Sequence, residues 1–131
     1  RLKEERGISV ILITHDMRVI AQVADEVAVM YAGSIVEYAD TVTLFKRPAH
    51  PYAWALLDTL PRLDEPGRKL RTIRGAPPDL VDLPDCCAFL PRCNKATSEC
   101  RQSAAPLLKL AGPHHSVACY SPVRHDWGED N

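Results

Sequence analysis

The sequence predicts an α/β fold in which a short parallel sheet is followed by a small irregular region rich in cysteine and proline. Three observations carry this prediction. Hydrophobic residues make up 46% of the 131 residues, enough for a packed core. Residues 8–14 form a continuous, β-branched apolar run, which is typical of a strand buried on both faces. All eleven prolines and all five cysteines lie after residue 47, so the two regions are expected to be stabilised differently.

The predicted elements of the first region are a helix end at 1–6, a strand at 8–14, a helix at 17–24, strands at 27–31 and 34–38, and helices at 41–46 and 52–60. Gly7 is expected to stop the first helix and Gly33 to form a turn between two strands. Asp40 or Thr41 is the expected cap of the next helix, and Pro51 suits the first turn of the last one.

The charge balance excludes several classes of partner. Sixteen basic residues against seventeen acidic ones give a net charge of −1, whereas general nucleic-acid or anionic-membrane binders carry a basic excess. No apolar run approaches the roughly 18 residues of a membrane helix. Because the first residue is Arg1 and no signal-peptide pattern follows it, we expect the native start to be missing and the sequence to be part of a longer protein.

Several separated motifs resemble those of one protein family. Residues 10–17 (VILITHDM) and 24–37 (ADEVAVMYAGSIVE) are similar to the end of an ABC-transporter ATPase domain. Residues 46–52 (KRPAHPY), 75–80 (GAPPDL) and 87–93 (CAFLPRC) resemble segments of the oligopeptide/dipeptide importer subfamily. The order and spacing of these motifs make the resemblance specific.

The resemblance implies a domain organisation and a function. Residues 1–60 would be the C-terminal part of the nucleotide-binding domain and contain the C-terminal remnant of its parallel sheet. A Cys/Pro-rich region at 61–124 and a tail at 125–131 would follow. The whole protein would use ATP and Mg²⁺ to power import of dipeptides, oligopeptides or nickel complexes from the cytoplasmic face of the cell membrane. The implied partners are a second ATPase subunit, transmembrane permease subunits and, indirectly, an extracytoplasmic solute-binding protein, but no nucleic acid.

His15 is the candidate catalytic residue. It follows the strand predicted at 8–14, and the carboxyl end of a strand is where α/β sheets bind ligands. Taken alone, it is more often a capping histidine at a strand–helix junction; the resemblance implies the switch histidine that reaches the γ-phosphate of ATP and the attacking water. Asp16 is expected to cap or charge the start of the following helix. The sequence has no phosphate loop and no LSGGQ-like signature, so this chain alone is expected to be inactive.

Four cysteines form the candidate metal site. Cys87, Cys93, Cys100 and Cys119 are separated by five, six and eighteen residues, and the resemblance implies that they bind a 4Fe-4S cluster, which takes four thiolates. Arg92 is expected to offset the negative charge of the cluster. The spacing favours Cys87 over its neighbour Cys86 as the ligand. Cys86 remains an alternative ligand and an expected oxidation site.

Other interpretations of the cysteines stay open. Structural zinc (Zn²⁺) also takes four thiolates, although its sites usually carry tight Cys pairs. Disulfides would suit an oxidising compartment, and unliganded thiols are a further alternative. The corresponding alternative function is a stand-alone Fe-S or zinc module for partner binding or redox sensing. His114 and His115, close to Cys119 in sequence, are expected to be solvated loop residues.

Overall fold

The computed structural model describes residues 5–60 and 72–125. This part contains helices α1 (Met17–Val23), α2 (Thr41–Lys46), α3 (Pro51–Asp58) and α4 (Ser98–Gln102), strands β1 (Glu26–Tyr31), β2 (Ser34–Asp40), β3 (Lys109–Gly112) and β4 (His115–Val117), and a 3-10 turn at Leu90–Arg92. Predictions for residues 1–4, 61–71 and 126–131 lie outside the described residues. Of the helices in the described part, none is long and apolar enough to cross a membrane.

The described strands form one antiparallel sheet in the order β1-β2-β4-β3. The mixed α/β character is therefore confirmed, whereas the predicted parallel sheet is wrong for the described residues. Strands β2 and β4 pair through Glu37 with Val117 and through Ala39 with His115. This pairing joins the first region to the Cys/Pro-rich region in one sheet, and local sequence patterns gave no indication of it.

Residues 8–14 do not form the predicted strand. The side chains of Ile11 and Ile13 are 92% and 93% exposed, and Val10 is 64% exposed. No described strand lies beside this segment, so its backbone groups have no ladder partners and neither apolar face is covered. The segment therefore has the composition of a buried strand but lacks the neighbouring strands that would bury it.

The β1–β2 hairpin follows the predicted pattern. Val27, Val29 and Tyr31 on β1 point into the core, and the residues between them are exposed. Tyr31 pairs with Ser34 across a two-residue turn in which Ala32 and Gly33 have φ values of 48° and 80°. Such a turn requires two positive φ angles, which explains the glycine at the second position.

The helix starts are set by short-range caps. Asp16 accepts a hydrogen bond from the Arg18 amide at 2.9 Å, and Asp40 accepts one from the Thr43 amide at 2.9 Å. Pro51 occupies the first turn of α3, as predicted. The predicted capping role of Asp16, and that of Asp40 rather than Thr41, are confirmed.

The core contains residues from both regions. Leu44 and Ala39 are fully buried, and Tyr31 packs against Tyr52 and Phe89 with ring centroids 4.6 and 5.2 Å apart. Phe89 belongs to the Cys-rich segment and is only 3% exposed. The two regions therefore share apolar burial as well as a sheet.

The side chain of Glu37, on β2, is fully buried and ties three segments together. Its Oε1 accepts hydrogen bonds from the Ala49 amide at 2.8 Å and from His115 Nε2 at 2.7 Å, and its Oε2 accepts one from the His50 amide at 2.7 Å. The expectation that His115 is a solvated loop residue is wrong, because β4 places it in the sheet with 8% exposure.

We predict that Glu37→Gln lowers the free energy of unfolding by about 2–4 kcal/mol. The glutamine side chain replaces one acceptor oxygen by an NH₂ group. In either orientation of the amide, this NH₂ group faces an N–H donor: that of Ala49 and His115 in one, that of His50 in the other. Urea denaturation at constant m-value measures the change.

The matched control is Glu26→Gln on the neighbouring strand. Glu26 is exposed and accepts one hydrogen bond from the Tyr38 hydroxyl, which an amide oxygen still accepts. Its expected effect is within about 0.5 kcal/mol. Equal effects of the two substitutions would contradict the assigned importance of Glu37.

Candidate cofactor site

A small cavity lies where the Cys-rich segments meet the start of α3. Its volume is about 20 Å³, room for one water molecule. Its lining includes all four predicted ligands, Cys87, Cys93, Cys100 and Cys119, but not Cys86. The choice of Cys87 over Cys86 as a ligand stays a prediction.

Separate elements carry the four cysteines to the cavity. Cys87 and Cys93 flank the 3-10 turn: the Cys87 carbonyl accepts from the Leu90 amide at 3.0 Å, and the Cys93 amide donates to the Leu90 carbonyl at 3.2 Å. Cys100 lies on α4, with its Sγ 3.3 Å from Thr97 Oγ1. Cys119 follows β4, where the Ala118 amide still donates to Val36 of β2. The sheet, the turn and a helix therefore each bring a sulfur atom to one place.

The four cysteines line the cavity without forming a group that could hold a metal ion in the described residues. In residues 5–60 and 72–125, no three His, Cys, Asp or Glu side chains are arranged to hold a metal ion. All five cysteines are free thiols. A zinc ion requires four ligands at about 2.0–2.3 Å from a common centre, and this arrangement does not provide that geometry.

Burial makes the thiols poor acids. Desolvation raises the pKa of Cys87 and Cys93, and it raises the pKa of Cys119 to about 11. The neighbouring cysteines of the cavity add to each of these increases. At neutral pH these three residues therefore hold their protons, and a cation that binds them must displace those protons.

The positive charge beside the cavity comes from Lys95, which sequence reasoning missed. Lys95 lines the cavity and lowers the pKa of Cys93, against the larger effect of burial. Arg92, which was expected to supply charge, instead donates to the carbonyls of Arg74 and Gly75 at 2.9 and 3.2 Å and to the Tyr31 hydroxyl at 3.3 Å. Its guanidinium fastens the 73–75 segment to the core.

His50 is the second cavity residue that sequence reasoning missed as a site residue. Its side chain is 1% exposed and packs against Phe89, with ring centroids 5.9 Å apart. Nδ1 accepts a hydrogen bond from the Tyr52 amide at 3.0 Å, so Nε2 carries the proton of the ring. Burial lowers the pKa of His50 to about 4, which keeps the ring neutral at pH 7. The available signal was its position within the HPY segment.

His15 lies outside this cavity. It is exposed at a bend between the 8–14 segment and Asp16, the cap of α1. Among the described residues, it belongs to no group of three His, Cys, Asp or Glu side chains that could hold a metal ion. Its catalytic role stays a prediction.

Comparisons with known proteins match most of the chain. Residues 36–100 match the family described as "Oligopeptide/dipeptide transporter, C-terminal region". The oligopeptide transport ATP-binding proteins OppD of Salmonella typhimurium and Escherichia coli are 44% and 45% identical over 122 residues, which is 93% of this chain. The dipeptide transport ATP-binding protein DppD of Caldanaerobacter subterraneus is 40% identical over 119 residues, or 91% of this chain.

Together, the motifs and these relatives identify one protein family. The chain belongs to the oligopeptide/dipeptide transporter C-terminal family. It spans 36% of the length of the three relatives. The predicted family is confirmed, and the alternative of a stand-alone Fe-S or zinc module finds no support in these relatives.

We predict that Cys119 in the metal-free protein reacts with iodoacetamide about a hundredfold more slowly than a free thiol at about pH 8. The raised pKa of Cys119, about 11 against an ordinary 9.0, reduces the thiolate fraction by that factor. Mass spectrometry of the peptide that contains Cys119 gives the rate, with glutathione as the reference.

The pH profile separates acidity from steric protection. Steric protection lowers the alkylation rate at every pH, whereas a raised pKa moves the plateau of the rate to higher pH. The Cys119 rate should keep rising about tenfold per pH unit beyond pH 9, where glutathione levels off. A plateau at the same pH as glutathione would contradict the assigned effect of burial.

Proposed function

We propose that this chain is the C-terminal part of the ATP-hydrolysing subunit of an importer for dipeptides or oligopeptides. The observation that carries the proposal is the 44–45% identity to oligopeptide transport ATP-binding proteins over 93% of the chain. In the whole protein, ATP and Mg²⁺ would bind at a site that includes parts of the subunit outside these residues. A second ATPase subunit, transmembrane permease subunits and, indirectly, an extracytoplasmic solute-binding protein would complete the importer at the cytoplasmic face of the membrane.

The exposed 8–14 segment supports this proposal on physical grounds. An apolar, β-branched segment with Ile11 and Ile13 more than 90% exposed has the composition of a strand whose neighbours come from elsewhere. Pairing with strands of the remaining subunit would bury both of its faces. His15 would then stand at the carboxyl end of a parallel strand, where such sheets bind ligands. There its imidazole would donate to the γ-phosphate and orient the attacking water.

In the complete subunit, His15→Ala should reduce ATP hydrolysis by at least about a hundredfold while leaving ATP binding unchanged. Removing one positioned donor from a phosphoryl-transfer site costs about this much in rate. A phosphate-release assay and equilibrium binding of a fluorescent ATP analogue measure the two properties.

His114→Asn is the matched control. His114 is also an exposed histidine, and its φ of 52° is tolerated by asparagine. This variant should hydrolyse ATP within about twofold of the wild-type rate. A His15→Ala variant that hydrolyses ATP within a few-fold of wild type would exclude the switch role.

For the cysteine cavity, we propose a 4Fe-4S cluster held by Cys87, Cys93, Cys100 and Cys119. The supporting feature is that the four thiols line one cavity. The cavity of about 20 Å³ would have to widen, and the residues that carry the ligands are short helices and turns. When bound, the cluster would supply a covalent clip between these elements and a one-electron redox centre.

Iron and acid-labile sulfide analysis of anaerobically purified protein tests the site. The wild-type protein should contain about four irons and four sulfides per chain. Cys93→Ser should lose most of both, because one of four thiolates is removed. One zinc without iron would refute the cluster and retain a thiolate site.

Cys86→Ser is the matched control for Cys93→Ser. Cys86 is next to a proposed ligand in sequence but does not line the cavity. Its substitution should leave iron content unchanged. Equal losses of iron in the two variants would contradict the choice of Cys87 over Cys86.

A further inference from the structure

The four thiols of the cavity differ in how firmly the protein holds them. Cys100 lies inside α4, is 8% exposed and has its Sγ 3.3 Å from Thr97 Oγ1. The sulfur of Cys87 accepts hydrogen bonds from two backbone amides of the turn that follows it. Cys93 and Cys119 are half-buried, lie outside helices and strands, and each accept from one amide. These two thiols are therefore the most free to move and to meet a small solute.

Electrostatic interactions identify the neighbour of Cys119 in the cavity. Burial is the main cause of its raised pKa, and among the other cavity thiols Cys93 adds most to the increase, ahead of Cys100 and Cys87. Because the interaction between two charges weakens with their separation, this order indicates that Cys93 is the nearest of the three. The nearest pair thus joins the irregular segment after the 3-10 turn to the residues after β4.

We propose that Cys93 and Cys119 form an oxidation site, at which hydrogen peroxide converts the two thiols to an intramolecular disulfide whenever no cluster occupies the cavity. The proposal does not rest on the ATPase function proposed above. The Cys93 sulfur attacks peroxide, the O–O bond breaks, and a sulfenic acid and one water form. The Cys119 sulfur then displaces the hydroxyl group of that sulfenic acid, which leaves as a second water. The two thiols lose two electrons and two protons, and one peroxide takes up both.

Lys95 determines which of the two thiols reacts first. Burial raises the pKa of Cys93, but the backbone amide and the ammonium group of Lys95 act in the opposite direction. Cys119 has only the Ser121 amide acting against burial. Since the thiolate is the form that attacks an oxidant, Cys93 is the expected site of the sulfenic acid.

The size of the cavity selects the oxidant. A volume of about 20 Å³ is room for one water molecule. Hydrogen peroxide exceeds water by a single oxygen atom, whereas glutathione disulfide consists of two linked tripeptides. Peroxide is therefore the oxidant that can reach thiols in this position.

The disulfide would fasten the least regular part of the chain to the sheet. Cys119 follows β4, which pairs with β2. The loop closed by a bond between Cys93 and Cys119 contains α4 and β3. Oxidation would thus restrict movement of α4 relative to the sheet, and reduction would release it.

The experiment treats the complete, reduced subunit with one equivalent of hydrogen peroxide, after a chelator has removed iron and analysis has verified its absence. Peptide mass spectrometry without reductant should show Cys93 linked to Cys119, and dithiothreitol should restore both thiols. In Cys119→Ser this link cannot form, and dimedone should label a sulfenic acid at Cys93.

The matched control is Cys86→Ser, because Cys86 is a half-buried cysteine that does not line the cavity. This variant should form the link between Cys93 and Cys119 to the wild-type extent. Protein oxidised in urea is the second control and should give several different linkages, since the fold no longer selects the pair.

The results that overturn the proposal are distinct from failure of the cluster. A link through Cys86 or between any other pair overturns it, as do unreacted thiols, sulfinic acid without a disulfide, or the same mixture of linkages with and without urea. A subunit that unfolds on removal of iron gives that mixture and counts against the proposal. Absence of iron from the purified wild-type protein refutes the cluster and leaves this test unchanged.

Discussion

The structure depends on one buried carboxyl group. Glu37 lies fully inside the protein and accepts three hydrogen bonds from segments that are far apart in sequence: the residues before α3, through two backbone amides, and β4, through His115. A buried carboxyl group is unfavourable unless its oxygens are satisfied. Both segments are therefore held against β2, where their N–H groups reach the carboxyl oxygens of Glu37.

The same carboxyl group sets the geometry of the cysteine cavity. Glu37 holds the backbone of His50, and the ring of His50 forms part of the cavity wall. Through His115 it also fixes β4, the strand that leads to Cys119. Two sides of the cavity are consequently positioned by the sheet, and the other cysteines come from the 3-10 turn and α4. A ligand that joined the sulfur atoms would link these less regular segments to the rigid part.

Short-range features of the fold could be predicted from the sequence, whereas the long-range ones could not. The turn at Gly33, the cap at Asp40 and the start of α3 at Pro51 depend on local backbone chemistry, and all three are confirmed. The pairing of β2 with β4 joins residues about eighty positions apart, and nothing in a local pattern specifies it. The strand predicted at 8–14 was wrong because its pattern is typical of a strand, but a strand forms only beside another strand.

The candidate site divides in the same way. The resemblance, with spacing to choose Cys87 over Cys86, named four cysteines that line the cavity, and their role as ligands stays a prediction. The burial of His50 at the cavity wall could not be predicted, because it depends on the packing of Phe89 against its ring. The acidity of the thiols also depends on burial, which raises the pKa of Cys93 and Cys119 and favours their protonated forms. Lys95, the charged side chain in the cavity lining, opposes this effect at Cys93. A cation that bound Cys87, Cys93 or Cys119 would have to displace a proton, so occupation of the cavity would depend on pH.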